Sequence, residues 1–349
     1  MILGRTRAPH SICTRGATDF PEVRPGGGAI RFMPGTCAGR QGAIASVNLR
    51  RRTDLSSLPT RRKFLYAAAA GAAIGAVAMV GDGTILEANR PQLVSVEVSL
   101  PRLHESWDGF RIAQLSDLHY DAYFSVVPLR KAVEIVNRLQ PDLVVLTGDF
   151  VTSPVSASRR LKRNAAAAIE PCAQLLSQLH ASSGILAALG NHDLSTNAAR
   201  IIDVLQSHAI PVLRNRSVSI AREGQRLWFA GVDDVLQGTP DLEQALEGIP
   251  QAEPVVLLAH EPDWADYVAR YPVDLQLSGH SHGGQIRLPL VGAPYLPELG
   301  RKYPRGLRRI GSLALYTNVG VGTIRIPMRL NCPPEVTQIT LRAGVLSRR

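Results

Sequence analysis

Apolar and polar positions begin to alternate at Gln92, and from there to Leu341 the chain reads as strands and helices in turn. Gln92–Leu100 alternates with period two, as a half-buried strand does, and Arg111–Leu115 is a second, shorter strand. Val127, Leu129, Val133, Val136 and Leu139 share the spacing of a helix over Val127–Leu139. Beyond the Pro141-Asp142 breaker, Leu143–Leu146 is a continuous apolar strand. Pro171 suits a first helical position, which predicts a helix over Pro171–His180. Gly184–Leu189 is again a strand, followed by a helix near Asn197–His208. Shorter strands are expected near Arg226–Ala230, Pro254–Leu258, Val273–Leu277, Leu313–Thr317 and Val336–Leu341. Strand–helix alternation ending in a strand-rich region predicts an α/β sandwich around a mixed pair of sheets.

Upstream of Gln92 the pattern is different. Residues 1–59 are rich in Arg, Gly, Pro, Ser and Thr and sustain no apolar period, so a disordered basic extension is expected. Residues 60–81 then form a unit: Arg61-Arg62-Lys63 precede an uncharged run from Phe64 to Val80, ending in Ala76-Val77-Ala78 and Gly81-Asp82-Gly83. A core helix suits paired arginines poorly, and a membrane span would prefer about 20 strongly apolar residues. A positive region, a modest apolar stretch and a small-residue cleavage site are the parts of an export signal. The arginine pair before Phe64-Leu65 resembles the twin-arginine type, which implies the twin-arginine export machinery as a partner. The segment fits either a cleaved signal or a retained anchor with membrane association. Both place the following domain, residues 82–349, on the extracytoplasmic side. Such signals lie near the first residue, whereas 59 residues precede Thr60, so translation is expected to start downstream of Met1.

Charge changes the picture only by its position. The formal net charge of +10 suggests nucleic acid, but residues 1–63 hold 12 of the 39 bases and only Asp19, Glu22 and Asp54 of the 29 acids. The rest of the chain is therefore nearly neutral, and no specific nucleic-acid surface is expected. Apolar residues are 45% and charged residues 19%, a globular composition, and 349 residues suit one or two domains. Cys13 and Cys37 lie in the extension, leaving Cys172 and Cys332, whose pairing spacing alone does not decide. No C-x-x-C occurs, so a thiolate zinc site is not expected.

The candidate chemistry stands where predicted strands end: Asp117-Leu118-His119, Gly148-Asp149, Gly190-Asn191-His192-Asp193, His260, and Gly279-His280-Ser281-His282. These motifs hold five of the nine histidines. Spacing of i and i+2 at a strand exit predicts that Asp117 and His119 leave one face, and likewise His280 and His282. Ligands gather at the carboxyl ends of strands in open α/β sheets. Asp117, His119, Asp149, Asn191, His260, His280 and His282 are therefore expected to converge on one rim. Carboxylate, imidazole and amide donors without thiolate suit Mn, Fe or Zn. Seven donors are too many for one ion with open positions and about right for two sharing a carboxylate, the usual apparatus of phosphate-ester hydrolysis.

The order D-x-H, G-D, G-N-H-D, H, G-H-x-H resembles the calcineurin-like metallophosphoesterase superfamily. The stretches Ser116–His119, Leu146–Phe150, Leu257–Pro262 and Leu277–Gln285 are similar to its exported bacterial branch, with Ser281 where Thr is more usual. The resemblance spans about Phe110 to Leu341 and implies a four-layer α/β/β/α sandwich with two mixed central sheets. It implies one divalent ion on Asp117, His119 and His282, a second on Asn191, His260 and His280, and Asp149 bridging them. It further implies hydrolysis of a phosphodiester, phosphomonoester or pyrophosphate by a metal-bridging hydroxide, His192 protonating the leaving group and Asp193 orienting the His192 ring. An envelope location adds a phosphorylated small-molecule or lipid-linked substrate.

Each motif alone has a plainer reading: a surface pair, a turn, a helix cap, a core histidine. Together, in order and at strand exits, they point to a metal site. The competing class is a non-catalytic binding protein on the same scaffold. Asp233-Asp234 reads as a polar turn. The basic stretch Arg301–Arg309 is expected to be a loop, either solvated or gripping a phosphate through Arg305.

Overall fold

Parallel strands with helices between them set the plan of the computed structural model, which describes residues 60–154 and 159–344. Residues 1–59, the expected basic extension, lie outside the described residues. Eleven strands follow in chain order: β1 Gln92–Leu100, β2 Arg111–Leu115, β3 Leu143–Thr147, β4 Ile185–Ala188, β5 Arg216–Arg222, β6 Gln225–Gly231, β7 Val255–Leu258, β8 Leu275–Ser278, β9 Gly306–Ile310, β10 Leu313–Thr317 and β11 Glu335–Ala343. They form a five-stranded sheet, β1-β11-β2-β3-β4, and a six-stranded sheet, β5-β6-β7-β8-β10-β9. Both are mixed. In the first, β2, β3 and β4 run parallel while β11 opposes β2. In the second, β6, β7, β8 and β10 run parallel between antiparallel edges.

Three apolar cores follow from strand alternation. Leu143 and Val145 of β3 meet Phe229, Val256, Leu275 and Tyr316 of the other sheet. Val144 and Leu146 face away, toward helices α2 (Val126–Leu139), α4 (Ile169–Leu176) and α5 (Asn191–Ser207). On the far side, Val255 and Leu257 pack against α6 (Leu242–Leu246) and α7 (Ala265–Val268). Two covered sheets stacked face to face make a four-layer α/β/β/α sandwich. Each large buried side chain of the central core is worth about 1.5–3 kcal/mol.

The differences from the sequence pattern have local causes. The helix expected at Pro171–His180 is α3 (Arg159–Ala167) followed by α4, with Pro171 inside the first turn of α4, where its missing N–H has no cost. The helix expected from Asn197 begins at Asn191 and kinks at Asn197, whose backbone is extended (φ −171°). The basic stretch Arg301–Arg309 is not all loop, because β9 takes Gly306–Ile310 as an edge strand with Arg308 and Arg309 exposed. The other edge, β5, is likewise guarded by Arg216 and Arg222, and such charges discourage pairing with another chain. Cys172 and Cys332 are both buried free thiols.

Before the first strand, α1 (Arg61–Gly81) continues through turns at Asp82–Leu86 and Glu87–Asn89. Its 21 residues rise about 30 Å. Among the described residues it is the one helix long and apolar enough to cross a membrane.

Candidate metal centre

Every motif side chain sits just past a parallel strand: Asp117 and His119 after β2, Asp149 after β3, Asn191 after β4, His260 after β7, His280 and His282 after β8. The first four come from one sheet and the last three from the other. Backbone geometry then turns the side chains together. Asp117, His119, Asp149, His280 and His282 all have positive φ, between 41° and 67°. Asp and His enter this left-handed region more readily than bulky residues, but each such position still carries strain. Thus i and i+2 do converge, by left-handed turns and not by the strand alternation expected from their spacing.

The close approach needs glycine at two places. A side chain on Gly190 would strike Asp149 and His260, and one on Gly279 would strike Ser116 and Asp117.

Ligand atoms of Asp117, His119 and His282 lie within 4.8 Å of one another, as do those of Asp117, Asp149 and His260, and those of His119, Asp149 and His192. His119 Nε2 is 3.0 Å from His282 Nε2, which is 3.3 Å from Asp117 Oδ1. Asp149 Oδ2 lies 3.5 Å from His119 Nε2 and 3.2 Å from His260 Nε2, between the two groups. His280 Nδ1 faces Asn191 Oδ1 at 3.1 Å. Donors about 2.0–2.2 Å from one ion stand roughly 2.8–3.6 Å apart at right or tetrahedral angles. The observed spacings have that size.

Second partners aim the rings. His260 Nδ1 donates to the Thr147 carbonyl at 2.6 Å, and His280 Nε2 donates to the Glu298 carbonyl at 2.7 Å. His119 Nδ1 meets Thr152 Oγ1 at 3.0 Å. Each interaction leaves the other nitrogen toward the cluster, the usual arrangement of a metal-binding histidine. His260 Nε2 is buried and makes no well-directed hydrogen bond although Asp149 Oδ2 is 3.2 Å away, and a cation between the two would satisfy both. Burial holds the pKa of His119 well below the ordinary histidine value and lowers that of His280. Burial also opposes charge on His260, but Asp149 and Asp117 outweigh it and hold that imidazole well above the usual range. His260, His192 and His119 hold Asp149 low against its burial, and His282 with His260 does so for Asp117. The centre is therefore anionic oxygen set among imidazoles, a donor set that fits divalent ions.

Asp193 has a different partner from the one the resemblance implies. At the third position of α5 its carboxylate folds back, accepting the N–H groups of Gly190, Asp149 and Phe150 at 2.8–3.0 Å and of Val151 at 3.3 Å. Burial and the Asp149 charge push its pKa up to about 8, while the Gly190 and Val151 N–H groups pull against that rise. The His192 ring is oriented by Ser153 instead, whose N–H and Oγ lie 3.1 and 2.9 Å from Nδ1. An N–H donated to Nδ1 puts the neutral ring's proton on Nε2.

Asp149, Asn191, His192, His280 and His282 open into a cleft of about 410 Å³. Arg305 lines a neighbouring depression with Arg287 and Leu290, and the arginine of the metal cleft is Arg325. Asp233-Asp234 is a turn, but a buried one: Asp233 pairs with Arg214 at 2.8 Å, and Asp234 accepts the N–H groups of Leu236 and Gln237. Ser153 and Arg325 carry no sequence signal, since neither belongs to a motif.

A calcineurin-like phosphoesterase family model matches residues 110–284. The metallophosphoesterase YkuE of Bacillus subtilis is 34% identical over 290 residues, covering 81% of this chain and 98% of its own length. Phosphodiesterase YaeI of Escherichia coli is 32% identical over 285 residues, covering 81% and 99%. The UDP-2,3-diacylglucosamine pyrophosphatase LpxG of Chlamydia muridarum is 27% identical over 314 residues, covering 72% and 89%.

Proposed function

Since the chain belongs to the calcineurin-like phosphoesterase family and is a metal-dependent phosphoester hydrolase, we propose how its residues divide the work and on what kind of substrate. Asp117, His119 and His282 would hold one divalent ion and Asn191, His260 and His280 a second, with Asp149 placed within reach of both. Two cations so held supply charge neutralisation at the phosphoryl oxygens and a lower pKa for the attacking water. The carrying observation is the set of donor spacings between 3.0 and 3.5 Å, drawn from both sheets, with Asp149 Oδ2 shared between His119 and His260.

The protein's own part is placement and proton transfer. His192, its Nδ1 occupied by Ser153, offers the Nε2 proton to the departing oxygen while water's oxygen bonds to phosphorus. Asp193 fixes the Asp149 turn through the N–H groups of Asp149, Phe150 and Val151 and ties it to Gly190 at the start of α5, which keeps the shared carboxylate aimed at the histidines. A lipid-linked phosphodiester or pyrophosphate is the substrate class. The names of the Escherichia coli and Chlamydia muridarum relatives, a phosphodiesterase and a diacylated-sugar pyrophosphatase, support that choice. The paired arginines that open α1, Arg61 and Arg62, support twin-arginine export or anchoring with the domain outside the cytoplasm.

Hydrolysis of bis-p-nitrophenyl phosphate with added Mn²⁺ tests the reading. Exhaustive chelation is expected to abolish it and Mn²⁺ to restore it; activity that persists after chelation refutes the metal assignment. The proton-donor role has its own check. His192→Ala is expected to slow a methyl diester by about 10²–10⁴-fold. The p-nitrophenyl diester, whose leaving group departs unprotonated, should suffer far less. Equal losses on both would remove His192 as the acid.

A further inference from the structure

The wall of the metal cleft away from the histidines is apolar, built from Ile286, Tyr295, Ile324 and Ile326. Its volume, about 410 Å³, leaves room beside a phosphate for an apolar group. Tyr295 and Ile326 are 59% and 54% exposed at its mouth, and the adjoining turn presents Leu290 fully and Val291 largely to solvent. Apart from Leu93 and Tyr267, the exposed large apolar side chains among the described residues lie on α1 and its continuation, at Tyr123–Val127, or at residues 288–295 and 326. A soluble surface scatters such residues singly; a run of them marks a contact.

One segment joins these parts. Ile324–Ile326 forms cleft wall, while Thr323 and Pro327 share a depression with Tyr123, Phe124 and the foot of α1 at Thr84 and Ala88. Further along, Arg329 N–H donates to the Gly83 carbonyl, and the N–H groups of Asn331 and Cys332 donate to the Glu87 carboxylate. The same segment grips the exposed turn, for Arg287 N–H donates to the Leu330 carbonyl and Asn331 Nδ2 to the Arg287 carbonyl. The foot of α1, the exposed turn and the mouth of the cleft therefore share one support. The uncharged part of α1, Phe64–Gly81, rises about 27 Å, close to the roughly 30 Å hydrocarbon layer, and this favours a bilayer over a protein partner as the occupant of this face.

We propose that this face rests on a lipid bilayer, with Leu290 and Val291 in its outer acyl layer, and that the apolar wall of the cleft takes an acyl chain of a membrane lipid whose phosphate reaches the metal centre. This rests on the hydrolase reading above and adds to it the route by which the substrate enters. Arg325, 5.3 Å over the Tyr295 ring, stands at headgroup depth, the level where cations and tyrosines collect at membrane surfaces.

Two measurements on the full chain test it. Methyl-, butyl- and octylphosphonate are compared as inhibitors of Mn²⁺-dependent bis-p-nitrophenyl phosphate hydrolysis. The inhibition constant is expected to fall at least about tenfold from methyl to octyl; a flat series overturns the acyl route. Separately, Leu290→Trp is reconstituted into phosphatidylcholine vesicles with plain or brominated acyl chains. Bromine is expected to quench the emission gained over the unsubstituted chain, and equal emission in both vesicles overturns the membrane contact. Failure is also separable from failure of the hydrolase reading. A chain that cleaves the diester but ignores chain length keeps that reading and loses this one. A chain inert toward phosphate esters loses the hydrolase reading and the acyl route with it, while quenching still decides the membrane contact.

Discussion

Asp149→Asn is expected to lower kcat on a phosphodiester by about three orders of magnitude or more, a loss of at least roughly 4 kcal/mol of transition-state stabilisation. Its Oδ2 lies within 3.5 Å of both halves of the centre, 3.5 Å from His119 and 3.2 Å from His260, whereas Asp117 Oδ1, 3.3 Å from His282, stands 3.8 Å from His260. An amide there offers one neutral oxygen and an NH₂ that repels a cation. The fold should survive, because Oδ1 of the amide can still accept the His192 N–H, as the carboxylate does at 2.9 Å. Metal analysis of the purified variant should show fewer ions per chain, with thermal unfolding little changed in chelator. A variant keeping more than a tenth of the activity would remove Asp149 from the bridging position.

The second large effect is on stability. Arg329 is completely buried, and its guanidinium donates to the carbonyls of Val319, Gly320, Gly322 and Cys332 at 2.7–3.1 Å. Those carbonyls belong largely to the loop leaving β10, which returns N–H groups from Val321 and Gly322 to the Ser116 and Asp117 carbonyls. The cation thus holds the loop that holds the Asp117 backbone. Burial lowers its pKa, yet a guanidinium stays charged, so removing it strips four buried acceptors at once. Arg329→Met is expected to cost at least about 3 kcal/mol, or roughly 5–6 °C in Tm. Circular dichroism melts of both proteins would check this, and a Tm within two degrees of the unsubstituted chain would refute it.

What the sequence shows and hides follows from the range of the interactions. The covered strands β3 and β7 are legible because their apolar runs must be buried, and the motifs are legible because polar groups gather at strand ends. The edges β5 and β9 are not, since a charged, half-exposed strand such as Gly306–Ile310 looks like a basic loop. The left-handed turns at Asp117 and His282 are invisible to a period-two argument. Ser153 acts through its own N–H, Asp193 on amides up to 44 positions away, and Arg329 on carbonyls. None of these pairs two recognisable side chains, so no motif announces them. Arg305 stood out by its charged neighbours, and Arg325 did not, because a run of charge says nothing about the direction in which it faces.

The division of donors between the two sheets has a consequence for assembly. Asp117, His119, Asp149 and Asn191 arrive with one sheet, and His260, His280 and His282 with the other, so neither half offers a full cradle alone. An ion gripped across that seam would act as a rivet, stabilising the mated sandwich by about 2.7 kcal/mol at a hundredfold excess over its Kd. Metal uptake would then double as an inspection step: a chain whose sheets have not closed cannot retain its ions, and so cannot turn over substrate.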